Sequence, residues 1–229
     1  MFDLHGYFPA LMEGLSVTIS LAFFSLFVAM GLGIFGALAK LSRNKGVQSI
    51  ANFYTTIIRG IPELVLMLLL FFGGQTMINQ LAAFVGYEDY IDINPYFSGV
   101  ATIGFIYGAY MTETFRGAIL AVHKGELEAG RAYGMSGGQV FIRILFPQMM
   151  RHAIPGFGNN WLVLLKATAL VSVIGLDDIV RKATLAAGAT KKTFTFYIVV
   201  AICYLILTTL SVWILNWLEK KYSVGVRTA

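Results

Sequence analysis

Five long apolar runs dominate this 229-residue sequence. A bilayer core about 30 Å thick is crossed by about 20 consecutive helical residues, and every run reaches that length. The charged residues inside the runs are few: Glu63 in the second, Glu113 and Arg116 in the third, and Lys166 in the fourth. The runs extend over residues 15–39, 62–81, 97–122, 154–176 and 193–218. The pattern predicts an all-α integral membrane protein with five transmembrane helices in a single domain, residues 1–229.

Composition supports lipid as the main solvent of this chain. Charged residues make up 13% of the sequence, whereas a soluble domain has about 25%. The net charge of +5 does not indicate a nucleic-acid partner, because the basic residues lie in short loops between apolar runs. No metal site is predicted, since one cysteine and three scattered histidines offer no ligand spacing.

The loop charges predict the orientation of the chain. Basic residues follow the first and fifth runs and lie between the third and fourth, whereas Asp89 and Asp92 follow the second. Because positively charged loops stay in the cytoplasm, the N-terminus is expected to be periplasmic and the C-terminus cytoplasmic. The loop 177–192 fits less well, since it should be outside and yet holds four basic residues against two acidic ones.

Small residues inside the runs predict close helix packing. Gly104 and Gly108 have the GxxxG spacing, which lets two helix backbones approach each other in lipid. We interpret this pair as a packing feature of the bundle.

The segment 123–151 is longer than a simple connection between two spans requires. Good helix formers at 126–133 precede Gly134, and glycine commonly ends a helix because it tolerates the left-handed conformation. The segment therefore predicts a short helix on the cytoplasmic face with a sharp turn after it. From the residues alone, a docking surface for a soluble partner and a loop helix resting on lipid headgroups remain equally open.

The same segment resembles the EAA loop of ATP-binding-cassette (ABC) importer permeases, which reads EAA, three residues, G, nine residues, I-x-L-P. It departs from that pattern at Gly130, where the family has Ala, and at Phe146, where it has Leu. The residues that match the coupling motif in place and spacing are Glu128, Ala129, Gly130, Gly134, Ile144 and Pro147. Stretches at 59–73, 108–119 and 154–178 are similar to polar amino acid permeases of the histidine/lysine/arginine/ornithine Q-type.

This resemblance implies a five-helix type I ABC importer transmembrane domain, MetI-like, in a bacterial inner membrane. It implies a transporter subunit rather than an enzyme, which imports polar, basic amino acids. The expected partners are a second permease in a heterodimer, two ATPase subunits and a periplasmic amino-acid-binding protein. The sequence has no GxxxxGK[ST] motif, so this chain is expected to bind no cofactor, and ATP and Mg²⁺ are expected on the ATPase.

Charged residues inside the runs are candidates for function, because they are costly in lipid. Glu113 and Lys166 have similar predicted depths, so an intramembrane ion pair is expected, with a substrate contact by Glu113 as the alternative. Glu63 lies at a predicted helix start. There its carboxylate would either interact favourably with the helix dipole or attract a cationic substrate.

One face of the fourth run is predicted to line the substrate path, because Asn160, Leu164 and Thr168 are spaced four apart. The related permeases read GNE and LKDTS where this chain has Asn160 and Ala167 in place of the acids. This difference leaves open whether this subunit or its partner holds the substrate.

Two other classes of protein fit parts of the pattern. A small secondary carrier or channel subunit would need no docking loop. A membrane-embedded enzyme would need a cluster of catalytic groups, and the intramembrane polar groups here are few and separate. The spacing of the EAA-like segment favours the importer.

Overall fold

The computed structural model describes residues 4–87 and 89–222, so the ends of the predicted 1–229 domain lie outside the described residues. The described residues form helices and no β-strand. In chain order the helices are α1 (Phe8–Lys40), α2 (Lys45–Gly60), α3 (Glu63–Phe84), α4 (Pro95–Ala121), α5 (Lys124–Ala132), α6 (Gly137–Val140), α7 (Phe146–Ala167), α8 (Ile179–Thr190) and α9 (Thr193–Tyr222). A π-helical turn, Phe141–Leu145, precedes α7, and a 3-10 segment, Thr168–Ile174, follows it.

Four stretches of the described chain are long and apolar enough to cross a membrane. They are α1, α3, the continuous helical stretch Gly137–Ile174 and α9, and they correspond to four of the five predicted spans. The fifth predicted span, α4, has 27 residues, which is long enough, but it is less apolar than the others. The all-helical fold is confirmed, whereas the count of five spans stays a prediction.

The lower hydropathy of α4 is explained by its central position. Twelve of its 27 residues are buried, and it packs against α1, α2, α3 and α7. A helix that faces other helices rather than lipid can carry glycine, threonine, tyrosine and charged side chains, provided that its neighbours satisfy them. The sequence of α4 is therefore that of a helix enclosed by the bundle.

Glycines bring the backbones of α1 and α4 together. A Cβ atom added at Gly33 of α1 would lie 2.5 Å from the Cβ of Met111, and one added at Gly104 of α4 would lie 2.5 Å from Cγ1 of Val28. One added at Gly108 would lie 2.8 Å from the Cβ of Leu32. The predicted close packing at the Gly104–Gly108 pair is confirmed, with α1 as the partner helix.

Helix α2 lies against α1 and α4 and starts at a side-chain cap. The Asn44 side chain accepts a hydrogen bond from the backbone N–H of Gly46 at 2.9 Å, which satisfies a free donor of the first turn. The Tyr54 hydroxyl donates to the backbone carbonyl of Phe105 at 2.5 Å. Ile50 and Phe53 remain exposed on the other face, so α2 is amphipathic, with one side on the bundle.

A second, smaller core joins α8 to the first turns of α1 and of α9. Leu11 of α1, Ile179 and Ala183 of α8, and Phe196 of α9 are completely buried there. The ring of Tyr7 meets the ring of Phe196 edge-on at 5.9 Å between centroids. Helix α8 is therefore fixed against α1 and α9 even though it is too short to be a span.

Asp178 caps α8 from a fully buried position. Its Oδ1 accepts from the backbone N–H of Arg181 at 2.9 Å, whereas its Oδ2 accepts no hydrogen bond from the described part of the chain. A Cβ atom at Gly14 would lie 2.8 Å from the Asp178 carbonyl oxygen, so α1 covers this cap. Burial raises the pKa of the Asp178 carboxyl to about 6.

The close approach of α1 and α4 predicts a position-specific effect of leucine. Gly33→Leu should force the two helices apart and lower the unfolding free energy in detergent by about 1–3 kcal/mol. Gly31→Leu is the matched control on the same helix, because nothing lies within 4 Å of a Cβ at Gly31. Thermal unfolding of the purified variants measures both, and equal melting temperatures for the two would contradict the packing role of Gly33.

The buried carboxyl of Asp178 predicts a pH dependence of stability. Because its pKa is raised in the folded state, the folded chain holds a proton between about pH 4 and pH 6 that the unfolded chain has lost. The stability that this bound proton contributes is fully present below about pH 4 and is lost as the pH rises through 6.

Asp178→Asn keeps a cap acceptor and removes the charge, so it should stabilise the protein at pH 7.5 by about 1–3 kcal/mol. The gain should shrink as the pH is lowered toward 5. Asp177→Asn is the control, since Asp177 is exposed. Melting temperatures at pH 5 and 7.5 measure the effect, and a pH-independent difference between Asp178→Asn and the wild type would refute it.

Candidate functional site

The segment 123–151 forms a compact loop of short helices. Helix α5 has nine residues and is followed by the four-residue α6, the π-helical turn and then α7. The Gln148 side chain donates a hydrogen bond to the Glu126 carboxylate, which ties α5 to the first turns of α7. The predicted short helix ending before Gly134 is confirmed.

Gly134 makes the turn after α5 possible. Its φ is +81°, a conformation that side-chain-bearing residues rarely adopt. The N–H of Met135 donates to the Gly130 carbonyl at 3.1 Å, and the N–H of Gly134 donates to the Arg131 carbonyl at 2.9 Å. These two bonds form a Schellman motif, which satisfies the free carbonyls at a helix C-terminus.

The next helix starts immediately after this turn. The Ser136 N–H donates to Oε1 of Gln139 at 2.8 Å, and the Ser136 hydroxyl accepts from the Gln139 N–H at 3.4 Å. This reciprocal pair is a capping box. The direction of the chain is therefore set on both sides of Gly134 by local hydrogen bonds.

Gly130 and Ile144 face each other inside the loop. Gly130 is the buried residue of α5, and a Cβ atom there would lie 2.5 Å from Cδ1 of Ile144. This chain has Gly130 where the family motif has alanine, and the Ile144 side chain occupies the space that an alanine Cβ would need. This contact helps to hold the loop together, and the role of the two residues in coupling stays a prediction.

The other predicted coupling residues lie on the surface. Glu128, Ala129, Gly134 and Pro147 are exposed, and the neighbouring Tyr133 is 88% exposed. The loop therefore offers a small, uneven surface on a rigidly held backbone. Such a surface suits a rigid-body contact with another protein.

Glu113 does not pair with Lys166. Its carboxylate forms ion pairs with Lys40 at the end of α1 and with Arg116 at 3.0 Å. The predicted Glu113–Lys166 pair is wrong, because α1 packs directly along α4 and brings Lys40 to Glu113. Lys166 is exposed on α7 and forms no ion pair with any described residue.

Glu63 has a hydrogen-bond partner that the sequence did not indicate. The hydroxyl of Tyr107, a buried residue of α4, donates to Oε2 of Glu63 at 2.9 Å. The guanidinium of Arg59 lies over the Tyr110 ring, 5.5 Å from its centroid. The first residue of α3 is thus attached to the middle of α4. A contact between Glu63 and a substrate stays a prediction.

The face of Asn160, Leu164 and Thr168 packs inside the subunit. Asn160 donates to the Thr114 hydroxyl at 2.9 Å, Leu164 is completely buried, and the hydroxyls of Thr168 and Tyr204 are 3.1 Å apart. A substrate could reach this face only if the helices separated. In this conformation, the predicted path-lining face is a packing face.

A family model described as the inner membrane component of binding-protein-dependent transport systems matches residues 29–224. The chain belongs to this family. The match includes the whole EAA-like segment, so the resemblance seen there is confirmed at the level of the family.

Individual relatives match the permease over nearly its whole length. The histidine/lysine/arginine/ornithine transport system permease protein of Salmonella typhimurium is 51% identical over 226 residues, which are 99% of each chain. The octopine transport system permease protein of Rhizobium radiobacter is 38% identical over 99% of this chain and 95% of its own. The crystal structure of an amino acid ABC transporter with histidines superposes with a TM-score of 0.79 and 32% identity, covering 94% of the permease and 95% of that chain.

The Glu113 cluster predicts a pattern of coupled stability effects. Lys40 has only 8% of its side chain exposed, so Glu113→Gln should leave a nearly buried cation without its counter-charge. We expect a loss of about 1–3 kcal/mol in unfolding free energy. Lys40→Met combined with Glu113→Gln should recover most of this loss, because the nearly buried cation is removed together with its counter-charge.

Arg116→Gln is the matched control, since the Arg116 side chain is 37% exposed and an exposed ion pair contributes little. Thermal unfolding of Lys40→Met, Glu113→Gln and the double variant in detergent gives the coupling energy by a double-mutant cycle. Additive effects of the Lys40 and Glu113 substitutions would show that the ion pair has no role in stability.

Proposed function

We propose that this permease is the membrane subunit of an ATP-driven importer of basic amino acids, namely histidine, lysine, arginine and ornithine. The observation that carries the proposal is the loop 123–151, which has the spacing of the EAA motif and folds into short helices joined by hydrogen bonds, with Glu128, Ala129 and Gly134 exposed. The identity of 51% to a histidine/lysine/arginine/ornithine permease supports the substrate class.

The loop supplies the mechanical link between ATP hydrolysis and transport. An ATPase subunit docks on the exposed residues Glu128, Ala129 and Gly134, and movement of the ATPase displaces α5 as a unit. The hydrogen bonds around Gly134 and the contact between Gly130 and Ile144 keep the loop stiff, so a displacement of α5 reaches α7 with little loss. ATP and Mg²⁺ bind on the ATPase.

The assembly comprises two different permeases, two ATPases and a periplasmic amino-acid-binding protein. In the single subunit, Lys166 and Asn159 on α7 are exposed. The second permease covers this face in the assembly. The heterodimer is supported by a sequence difference: related permeases have two acids where this chain has Asn160 and Ala167, and a second, different permease would provide those acidic contacts.

The N-terminus lies in the periplasm and the C-terminus in the cytoplasm. Two of the four basic residues in the predicted outer loop, which argued against this orientation, lie beside acids: Arg181 is 3.1 Å from Asp177, and Lys182 is 3.2 Å from Asp177 and 3.6 Å from Glu13. These pairs reduce the positive charge of the loop and support its placement outside.

The second candidate function is that of a small secondary carrier or channel subunit. Transport by such a protein would not require ATP. Proteoliposomes of the complete complex, loaded with or without ATP, separate the two. The importer requires ATP for uptake of a basic amino acid, whereas uptake that continues in its absence would favour the carrier.

The geometry of Gly134 predicts uncoupling by a single substitution. Gly134→Leu places a side chain at φ +81°, which costs about 1–2 kcal/mol of local strain and reorients the loop. We expect transport to be lost, and ATP hydrolysis to become insensitive to the binding protein, while membrane insertion is unchanged. The measurements are amino acid uptake and ATPase activity in proteoliposomes.

Gly138→Leu is the control for added bulk in the same loop, since Gly138 has open space for a Cβ and no positive φ. It should retain transport. Wild-type transport by Gly134→Leu would contradict the coupling role of the loop.

A further inference from the structure

Four helices enclose an apolar cavity beside the start of α7. Its volume is about 310 Å³, and α1, α4, α7 and α9 all contribute to its wall. Three of the lining side chains are methionines, Met30, Met149 and Met150, which are flexible and adapt to ligands of irregular shape. Among the described lining residues, Tyr222 alone carries a polar group. Because water needs several polar partners in a cavity, this one suits an apolar ligand.

The cavity has the length of one lipid leaflet. The residues of α7 that line it begin at Phe146 and end at Phe157, so they extend over about 16 Å of helix at a rise of 1.5 Å per residue. Half of the hydrocarbon core of a bilayer is about 15 Å thick. A hydrocarbon chain that lies along this part of α7 therefore fits between the membrane surface and the bilayer centre.

Trp217 and Lys221 mark the membrane surface at one end of the cavity. The Lys221 ammonium lies 5.3 Å from the centroid of the Trp217 ring, and aromatic and basic side chains are typical of the boundary between lipid and water. Leu218 and Tyr222, on the same turn of α9, line the cavity. This end of the cavity is therefore at the depth of the lipid headgroups, and the end near Phe157 is among the acyl chains.

Two basic side chains flank the end of the cavity at the headgroups. Arg151 donates from Nε to the backbone carbonyl of Tyr222 at 3.2 Å. Lys221 follows Leu218 by three residues, so it shares the side of α9 that lines the cavity. Within residues 4–87 and 89–222 neither cation forms an ion pair, and the nearby acid Glu219 has an interaction of its own. The two positive charges are thus available to an anion.

We propose that this cavity binds one acyl chain of an anionic phospholipid, whose headgroup contacts Arg151 and Lys221. Such a lipid has both features that the site requires, a hydrocarbon chain of leaflet length and a negative charge at the membrane surface. A zwitterionic lipid presents the same chain but gains less from the two cations. A polar solute is disfavoured, because the wall offers it almost no hydrogen-bond partners.

The bound chain supports the helix that carries the coupling loop. Phe146 and Met149 lie in the first turn of α7, which directly follows the π-helical turn. That turn contains Ile144, which contacts Gly130 of α5. A chain in the cavity fills the space between the first turns of α7 and the helices α1 and α9, so it limits independent movement of α7. The site thus connects lipid composition to the coupling loop.

Photocrosslinking in the permease–ATPase complex tests this site. Phosphatidylglycerol and phosphatidylcholine, each with a diazirine in one acyl chain, are incorporated into nanodiscs, and peptide mass spectrometry locates the labelled residues. Phosphatidylglycerol should label Met149, Met150 or Phe157 at least about fivefold more than phosphatidylcholine does, because each basic residue near the surface favours anionic lipid by about that factor.

Variants separate the headgroup contact from the cavity. Arg151→Gln combined with Lys221→Gln should reduce the preference for phosphatidylglycerol to less than about twofold. Lys45→Gln is the matched control, since it removes an exposed lysine at the start of α2, outside the cavity, and it should keep the preference. Ala153→Leu extends a side chain of the cavity wall and should lower labelling of the cavity by both lipids.

Several results would overturn the inference. Equal labelling by the two lipids in the wild type, or an unchanged preference in the Arg151 and Lys221 double variant, excludes the headgroup contact. Labels confined to residues outside the cavity exclude the cavity as a lipid site. If Ala153→Leu fails to assemble, the comparison of the two lipids in the wild type still decides. Labelling requires no transport, so its outcome does not depend on the proposed substrate class.

Discussion

The close approach of α1 and α4 is the contact on which the rest of the bundle depends. Gly33 and Gly104 remove the side chains that would separate the two backbones, and lipid offers no hydrophobic driving force to replace that contact. Because α1 lies so near, Lys40 reaches Glu113, and α4 can hold charged and hydroxyl groups at the centre of the fold. Small residues thus determine which polar groups the bundle tolerates.

The cytoplasmic loop uses glycine in two different ways. Gly134 supplies a backbone conformation, with its φ of +81° and open space around it. Gly130 supplies room, since Ile144 occupies the place of its missing side chain. The first use fixes the direction of the chain and the second fixes the distance between α5 and the turn before α7. Stiffness in this loop is therefore a property of the backbone and of one side-chain contact.

The sequence predicted where the helices lie, but it did not predict which side chains contact each other between helices. Comparing the lengths of the apolar runs with the thickness of the bilayer identified four spans and the central helix α4. The glycine at position 134 predicted the end of α5. Counting residues predicted that Glu113 would pair with Lys166, whereas its carboxylate pairs with Lys40 and Arg116. The error was the partner, because depth along a helix does not determine which face a residue occupies. The packing of Asn160 against Thr114 and the Tyr107–Glu63 bond were missed for the same reason.

The charged residues in and beside the spans of the described chain differ in the partners that satisfy them. At the α8 end, Arg181 and Lys182 lie beside Asp177, and toward the coupling loop Glu113 has two cationic partners. At the midpoint of α4, Glu63 has only a hydroxyl partner, and Lys166 has no ion-pair partner among the described residues. A charged side chain inside a span is tolerated where a neighbouring helix supplies a partner, as Tyr107 does for Glu63 and Lys40 does for Glu113.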